Sequence, residues 1–359
     1  MENSKIVKGG DGASSYFKNS KLQGNASDQA NKLLEDGIAK SLKLPPKDAT
    51  FRIADFGCSV GPNTFSSVAS VIEAVKHKYQ NTSDDDGFPE FHVFFNDQVS
   101  NDFNTLFRSL PHDKQYMVAG VPGSFHGRLL PKSSVNLMVS NTALNWLSKI
   151  PDSVTTRGTP QWNKGKVTYA RSSPQVVEAF KAQFVHDMND FFGARTQELV
   201  PGGLLAILVP CRSLGTSPCE SNVVLVADSI GDALVDLVNE GVISEDLVDS
   251  FNFPTFIPTA TEMEEIILTN HGKHFSIKAM QEIRLPSHLN TPQGIHHTCS
   301  HMRAVMDCLL NQHIGVPQVV DEAFTRYPQK IENLVKDPST NALFETWEFL
   351  FMLLKRNDA

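Results

Sequence analysis

Apolar residues along this chain switch repeatedly between two rhythms. From Ala30 to Leu44 they recur at Leu33, Leu34, Ile38 and Leu42, the spacing of one helix face, and Pro45-Pro46 ends the run. Phe51-Arg-Ile-Ala-Asp-Phe56 then reads as a short strand, broken by Gly57-Cys-Ser-Val-Gly-Pro-Asn63. Phe65, Val68, Ile72 and Val75 return to helical spacing. Phe91-His-Val-Phe-Phe95 predicts a second strand, ending at Asn96-Asp97 after the charged surface loop Ser83-Asp-Asp-Asp-Gly87. Val135–Val139 and Leu204–Val209 predict buried strands, the latter following a helix over about 173–198 and a turn at Pro201-Gly-Gly. Residues 1–25, rich in Gly and Ser, are expected to be irregular. Strands that alternate with helices predict an α/β fold, a mostly parallel sheet covered on both faces.

After Pro210 the rhythm is mainly helical, over Val223–Val238, Thr261–Leu268, Met302–Leu310 and Val319–Val335. Phe275–Leu285 predicts a strand, and Thr346-Trp-Glu-Phe-Leu-Phe-Met-Leu-Leu354 a buried terminal one. At 359 residues the chain exceeds what one core usually organises, so an α-rich insertion in the second half is expected. A net charge of −8 without a basic block argues against a nucleic-acid partner. No membrane-length apolar run or targeting segment is visible, and five cysteines without a CxxC pair read as free thiols of a cytoplasmic protein.

In open α/β sheets ligands bind beyond the carboxyl ends of strands, where strand order reverses. Gly57 and Gly61 would let a ligand approach the backbone, and Asp97 would accept hydrogen bonds from ribose hydroxyls. A dinucleotide wants G-x-G-x-x-G with its acid ~20 residues on, which this turn does not offer, and no P-loop Gly-Lys-Ser/Thr follows. S-adenosylmethionine has a ribose but no phosphate, and Asp55 would serve its cationic end. A tight turn that binds nothing is the bland alternative.

The chain resembles the plant salicylate/benzoate/theobromine (SABATH) methyltransferases. The resemblance runs through Lys8-Gly-Gly-Asp-Gly-Ala-Ser-Ser-Tyr16, Ser20, Gln23, Ile53–Asn63, Asn96-Asp97 and Asn101-Asp-Phe-Asn104. It continues through Val121-Pro-Gly-Ser-Phe125-His-Gly-Arg, Trp146-Leu-Ser, Asn163-Lys-Gly, Val200-Pro-Gly-Gly and Asp249-Ser-Phe-Asn252. It implies a Rossmann-like class I methyltransferase core with an α-helical cap. Residues 1–210 would form the core with an N-terminal lid, 211–313 the cap (about 271–285 returning to the sheet), and 314–359 the completion of the core.

The resemblance further implies S-adenosylmethionine as cofactor, a small carboxylic acid as substrate, and a homodimer. It places Tyr16, Asp55, Gly57, Cys58, Asn63, Asp97, Gln98, Ser124, Phe125, Ser140 and Asn141 around the cofactor. Gln23 and Trp146 would hold the substrate carboxylate through neutral N–H donors, with Tyr16, Thr142, Asn145 and Phe256 lining the acceptor site. A magnesium ion near Asn163, Asp249, Phe251 and Asn252 is a further implication. Methyl transfer to a carboxylate needs no general base, because such an acid (pKa ~4) is already ionised at neutral pH.

Departures from the family pattern bear on the substrate. Thr142 and Asn145 stand in a stretch that reads Tyr-Ser-Leu-His or Tyr-Ser-Leu-Met in many relatives, Gln98 replaces a common Leu, and Ala227 matches a position that is Trp in salicylate-type members. Together they predict a roomier pocket. His296, His297 and His301 invite a zinc reading, but a solvent-facing or cap-packing cluster is favoured because no HExxH arrangement accompanies them. Alternatives to a carboxyl methyltransferase are an N-methyltransferase of xanthine-like rings, a cofactor-binding protein without turnover, and a nicotinamide dehydrogenase, the last disfavoured by the glycine spacing.

Overall fold

A computed structural model describes residues 7–82 and 87–358. Seven strands form one sheet: β1 (Phe51–Phe56), β2 (Phe91–Asp97), β3 (Met117–Pro122), β4 (Val135–Asn141), β5 (Leu199–Pro210), β6 (Phe275–Pro286) and β7 (Thr346–Arg356). Their order is β3-β2-β1-β4-β5-β7-β6. β1 to β5 pair in parallel, and β7 runs antiparallel to both of its neighbours. The chain builds outward from β1 in one direction and from β4 in the other, so the crevice lies at the carboxyl ends of β1 and β4. The six residues from Val135 to Ser140 are all buried, as a central parallel strand requires.

The helices are α1 (Tyr16–Asn19), α2 (Lys21–Ser41), α3 (Pro62–Gln80), α4 (Phe103–Arg108), α5 (Asp152–Thr155) and α6 (Pro174–Glu198), then α7 (Asn222–Asn239), α8 (Glu245–Asp249), α9 (Ala260–Ile266), α10 (Pro292–Ile314) and α11 (Pro317–Lys336). Asp55 meets Thr64 of α3, whereas its neighbour Phe56 packs edge-on against Phe191 of α6. Adjacent strand residues face opposite sides, so α3 and α6 cover opposite faces of the sheet. α2 packs beside α3 and against β5, β6 and β7. Gly37 permits that approach, since a Cβ there would lie 2.0 Å from Leu353 Cδ2. α7, α10 and α11 pack on one another as the cap.

Two expectations are corrected. Residues 16–25 are not irregular, since α1 starts at Tyr16 and α2 at Lys21, whereas residues 7–15 form only bends and turns. The opening of α2, Gln23-Gly-Asn-Ala-Ser-Asp28, is polar because it faces a cavity and solvent, which hides its helical rhythm. Pro201-Gly-Gly is no turn between elements but a bulge inside β5, where pairing steps from Val135–Leu199 to Leu137–Leu204 and Gly202 takes φ +78°. α11 packs against α7 and α10, with Tyr327 Oη donating to the Val226 carbonyl (2.8 Å). β3 had no counterpart in the pattern, because it is a half-exposed edge strand. The loop expected over Ser83–Gly87 lies largely outside the described residues. Among the described residues, no helix is long and apolar enough to cross a membrane, and the five cysteines are unpaired.

Candidate active site

A cavity of about 1200 Å³, counted to its open mouth, lies between the carboxyl ends of the strands and the cap. A side chamber of about 400 Å³ shares Tyr16, Gln23, Gly57, Ser59, Asn141 and Thr142 with it. The turn after β1 shapes their shared floor. Gly57 has φ +79°, and a Cβ there would lie 2.3 Å from that of Ala143. Its N–H and that of Cys58 both donate to the Asn96 carbonyl (2.9 and 3.0 Å), which ties the turn to β2. Gly61 does not open the backbone to a ligand: the Phe17 ring covers it, 2.8 Å from where a Cβ would stand.

Asp97, at the end of β2, lines the main cavity; its carboxylate accepts from the Ser59 and Gln98 N–H groups, each at 2.7 Å. Burial pushes its pKa up to about 6. Asp55 lines the side chamber with Cys58 and Asn63 and accepts from Thr64 Oγ1. Burial pushes its pKa up to about 7. Among the described residues neither carboxyl forms an ion pair, so the cavity holds latent negative charge without a resident cation. Burial also raises the Cys58 thiol, which makes it a wall atom and not a nucleophile.

Gln98, Ser124 and Phe125 line the main cavity, and Asn141 borders both spaces while donating to Ser67 Oγ (3.0 Å). Asn63 Nδ2 donates to the Ser20 carbonyl and hydroxyl (3.0 Å each) and so pins the start of α2 over the chamber. Ser140 is corrected to a scaffold residue: it is fully buried and its hydroxyl donates to the Phe56 carbonyl (3.0 Å), holding β4 to β1.

The residues expected to form the acceptor site also line the cavity. Tyr16, Gln23, Thr142, Asn145 and Trp146 all face the cavity. Thr142 takes φ +55° with its N–H on the Leu208 carbonyl (2.7 Å). Tyr16 bonds the Thr142 side chain, and burial pushes its phenol up to about 12, so it stays protonated. Asn145–Leu147 runs beside Phe253–Phe256 as a short bridged pair, with Trp146 opposite Thr255. This pairing corrects Phe256: it is fully buried between Tyr169 and Phe184, while Phe253 faces the cavity, edge-on to Trp146 at 5.1 Å. Ala227 of α7 lines the cavity as expected of the enlarged side.

Sequence reasoning passed over Ser59, His126, Phe253 and Thr255 as lining residues, and it read His301 as solvent-facing or cap-packing. His301 of α10 instead lines the cavity and contacts Gln23, with Nε2 3.0 Å from the amide Nε2. No zinc cluster forms at His296, His297 and His301, and among the described residues no group of three His, Cys, Asp or Glu is placed to hold a metal. The magnesium expectation does not fit the residues present. Asn163, Asp249 and Asn252 do converge, but as a hydrogen-bonded knot: Asn163 Nδ2 donates to Asn252 Oδ1 (2.7 Å), Ser172 Oγ to Asn163 Oδ1 (2.8 Å), and Gly165 N–H to Asp249 Oδ1 (2.7 Å). Phe251 contributes a buried ring beside His313. The buried atom left unpartnered there is Asn252 Nδ2, a donor that repels a cation.

The residues fit S-adenosylmethionine. Buried Asp55 and half-buried Asp97 lack ion-pair partners among the described residues, Asp97 stands where a ribose is read, and the glycine turn leaves no side chain in the way. Comparison with known proteins agrees. The chain is 39% identical to loganic acid O-methyltransferase of Catharanthus roseus over 91% of its own length and 88% of that protein's. It is 41% identical to a farnesoic acid carboxyl-O-methyltransferase of Arabidopsis thaliana, over 79% and 80%. A solved loganic acid methyltransferase with S-adenosylhomocysteine superposes with a TM-score of 0.89 at 36% identity, over 98% of this chain and 99% of that one. With residues 2–357 matching the profile of the SAM-dependent carboxyl methyltransferases, the chain belongs to that family.

Proposed function

We propose that this methyltransferase esterifies a small organic acid through Gln23 and Trp146, with Tyr16, Thr142 and Asn145 forming the acceptor wall. One observation carries the reading. Among the described residues, the cavity and its side chamber are lined by two carboxyls without ion pairs, Asp97 and Asp55, and by the neutral donors Gln23 and Trp146, with neither Lys nor Arg. A cation fits beside the carboxyls. The neutral donors can bind a carboxylate without a full positive charge that would blunt its oxygen.

The cofactor, when bound, supplies a methyl group activated by its sulfonium. The protein's part is alignment and exclusion of water. Holding two reactants in attack geometry supplies roughly 7–11 kcal/mol of barrier reduction. The carboxylate arrives ionised, so no side chain has to remove a proton. Asp97 and Asp55 anchor the cofactor end, Ser124 and Phe125 border it, and Gln23 and Trp146 orient the acid. No step is assigned to a metal. We take the enzyme to act in the cytoplasm as a homodimer, in keeping with its free thiols.

The test is incubation with methyl-labelled S-adenosylmethionine and a panel holding loganic acid, farnesoic acid, benzoate, salicylate and xanthines, with products identified by mass. A methyl ester of at least one acid is expected. Label on a xanthine ring nitrogen alone, or cofactor binding with no labelled product, would overturn the reading.

A further inference from the structure

His301 and Gln23 are joined in a way that fixes both of their orientations. His301 Nδ1 lies 2.8 Å from the Asn19 carbonyl, and Nε2 lies 3.0 Å from Gln23 Nε2. A carbonyl only accepts, so Nδ1 carries the hydrogen. Burial lowers the pKa of the ring, which is therefore neutral, and Nε2 is left as an acceptor. It must take an N–H from Gln23. The amide oxygen, Gln23 Oε1, is then turned away from His301, buried and without a partner.

That oxygen is the wrong group to meet an anion. Turning the amide over would put Oε1 against His301 and offer both N–H bonds to the cavity. His301 Nε2 would then need a hydrogen of its own. Since the Asn19 carbonyl holds the hydrogen on Nδ1, the ring would become an imidazolium.

We propose that His301 is a positioning residue that takes one proton from solvent as the carboxylate acceptor binds, so that Gln23 turns its N–H face to the acid. The proposal rests on the acceptor reading above. The proton balances the incoming negative charge through a neutral amide, without placing a cation on the attacking oxygen. Other groups near His301 do not take this role. Tyr16, with its ring 6.0 Å away, and Cys299 on the same helix are both held neutral by pKa values pushed up to about 12. Arg303 and Asp307 are engaged with each other and with Asp321 and Lys8. Asp55 and Asp97 titrate on the cofactor side, so the test has to separate them.

The experiment measures KM for the acid that the labelled panel turns over fastest, at saturating S-adenosylmethionine, from pH 6 to 9. In the wild type KM should climb toward about tenfold per pH unit above the pKa of free His301. In His301→Gln the profile should be flat, because an amide meets both neighbours without a proton, and kcat should change less than KM. A flat wild-type profile overturns the proposal. So does an equal slope in the variant, which would assign the titration to Asp55 or Asp97.

Nitrogen NMR of ring-labelled histidine in the full wild-type chain gives a reading independent of the variant. His301 should be neutral with its hydrogen on Nδ1 when only S-adenosylhomocysteine is bound, and doubly protonated once the acid is added. A hydrogen on Nε2 in the first state, or a neutral ring in the second, would overturn the proposal. If no acid on the panel is methylated, the acceptor reading itself falls; a methylated acid with a neutral His301 sinks this inference alone.

Discussion

Asp55, buried, and Asp97, half-buried, are acids whose proton affinity is raised, and this gives their titration a definite sign. The folded protein holds these protons up to about pH 6 and 7, whereas the unfolded chain releases them near 3.8. Their ionisation therefore weakens the empty fold as pH rises from 4 toward 7. If the cofactor binds these carboxyls in their ionised form, as proposed, S-adenosylmethionine affinity should rise between pH 5.5 and 7.5 and then level off. Calorimetry would show it, and Asp97→Asn should weaken binding and flatten part of the dependence. Gln23→Leu should lower kcat/KM for the acid by about tenfold to 150-fold, the worth of a charge-assisted hydrogen bond, with cofactor affinity near wild type. Steady-state kinetics with a thermal-shift control would check this, and unchanged kinetics would remove Gln23 from the site. The positions of Asp97 and Gly57 were legible because each closes a strand in a local pattern. Phe253 was not, because in the extended run from Phe253 to Phe256 the choice of ring that faces the cavity depends on pairing with Asn145–Leu147. The partner of Gln23, His301, lies 278 residues away and has no local signal.

At the scale of elements, the end of α6 shapes the site from beneath. Arg195 and Glu198 are fully buried and paired at 2.7 Å under the loop that carries Ser124 and Phe125. Arg195 donates to the carbonyls of Phe125 (2.7 Å) and Gly127 (2.9 Å), while Glu198 Oε1 accepts from the N–H groups of Leu129 (2.5 Å) and Leu130 (2.8 Å). The guanidinium also lies over the Phe56 ring at 4.1 Å. Removing one partner leaves a buried charge and unpaired backbone groups, so Arg195→Met should destabilise the protein by about 3–5 kcal/mol. A denaturant melt measures this, and cofactor affinity should fall with it because the loop loses its support. Periodicity identified α6 as a helix and missed this clamp, since a charged pair at i and i+3 ordinarily reads as solvent-facing. The sheet core was readable because strands buried on both faces leave continuous apolar runs. Edge strand β3 and the start of α2 were not, because their polar residues serve solvent and the cavity.

Across the whole molecule, the segment before α2 laces core to cap. Lys8 N–H donates to the Ala304 carbonyl (2.8 Å) and its ammonium pairs with Asp307 (3.2 Å), while Gly10 N–H meets Asp102 (3.0 Å) beside the first strands. Deleting residues 1–15 should leave far-UV circular dichroism close to wild type, because residues 7–15 form only bends and turns. Acid and cofactor affinity should both fall by at least about tenfold, the loss expected for a few hydrogen bonds near 1 kcal/mol each. Native affinity in the deletion would show that the lacing is dispensable.

The lacing has a consequence for synthesis. Lys8, Tyr16 and Gln23 leave the ribosome well ahead of the groups on α10 that they meet, since His301 follows Gln23 by 278 residues and Ala304 and Asp307, the partners of Lys8, come later still. A nascent chain that stops short of α10 carries β1 to β5 but lacks one side of the cavity, which closes only when α10 folds back over α1 and the start of α2.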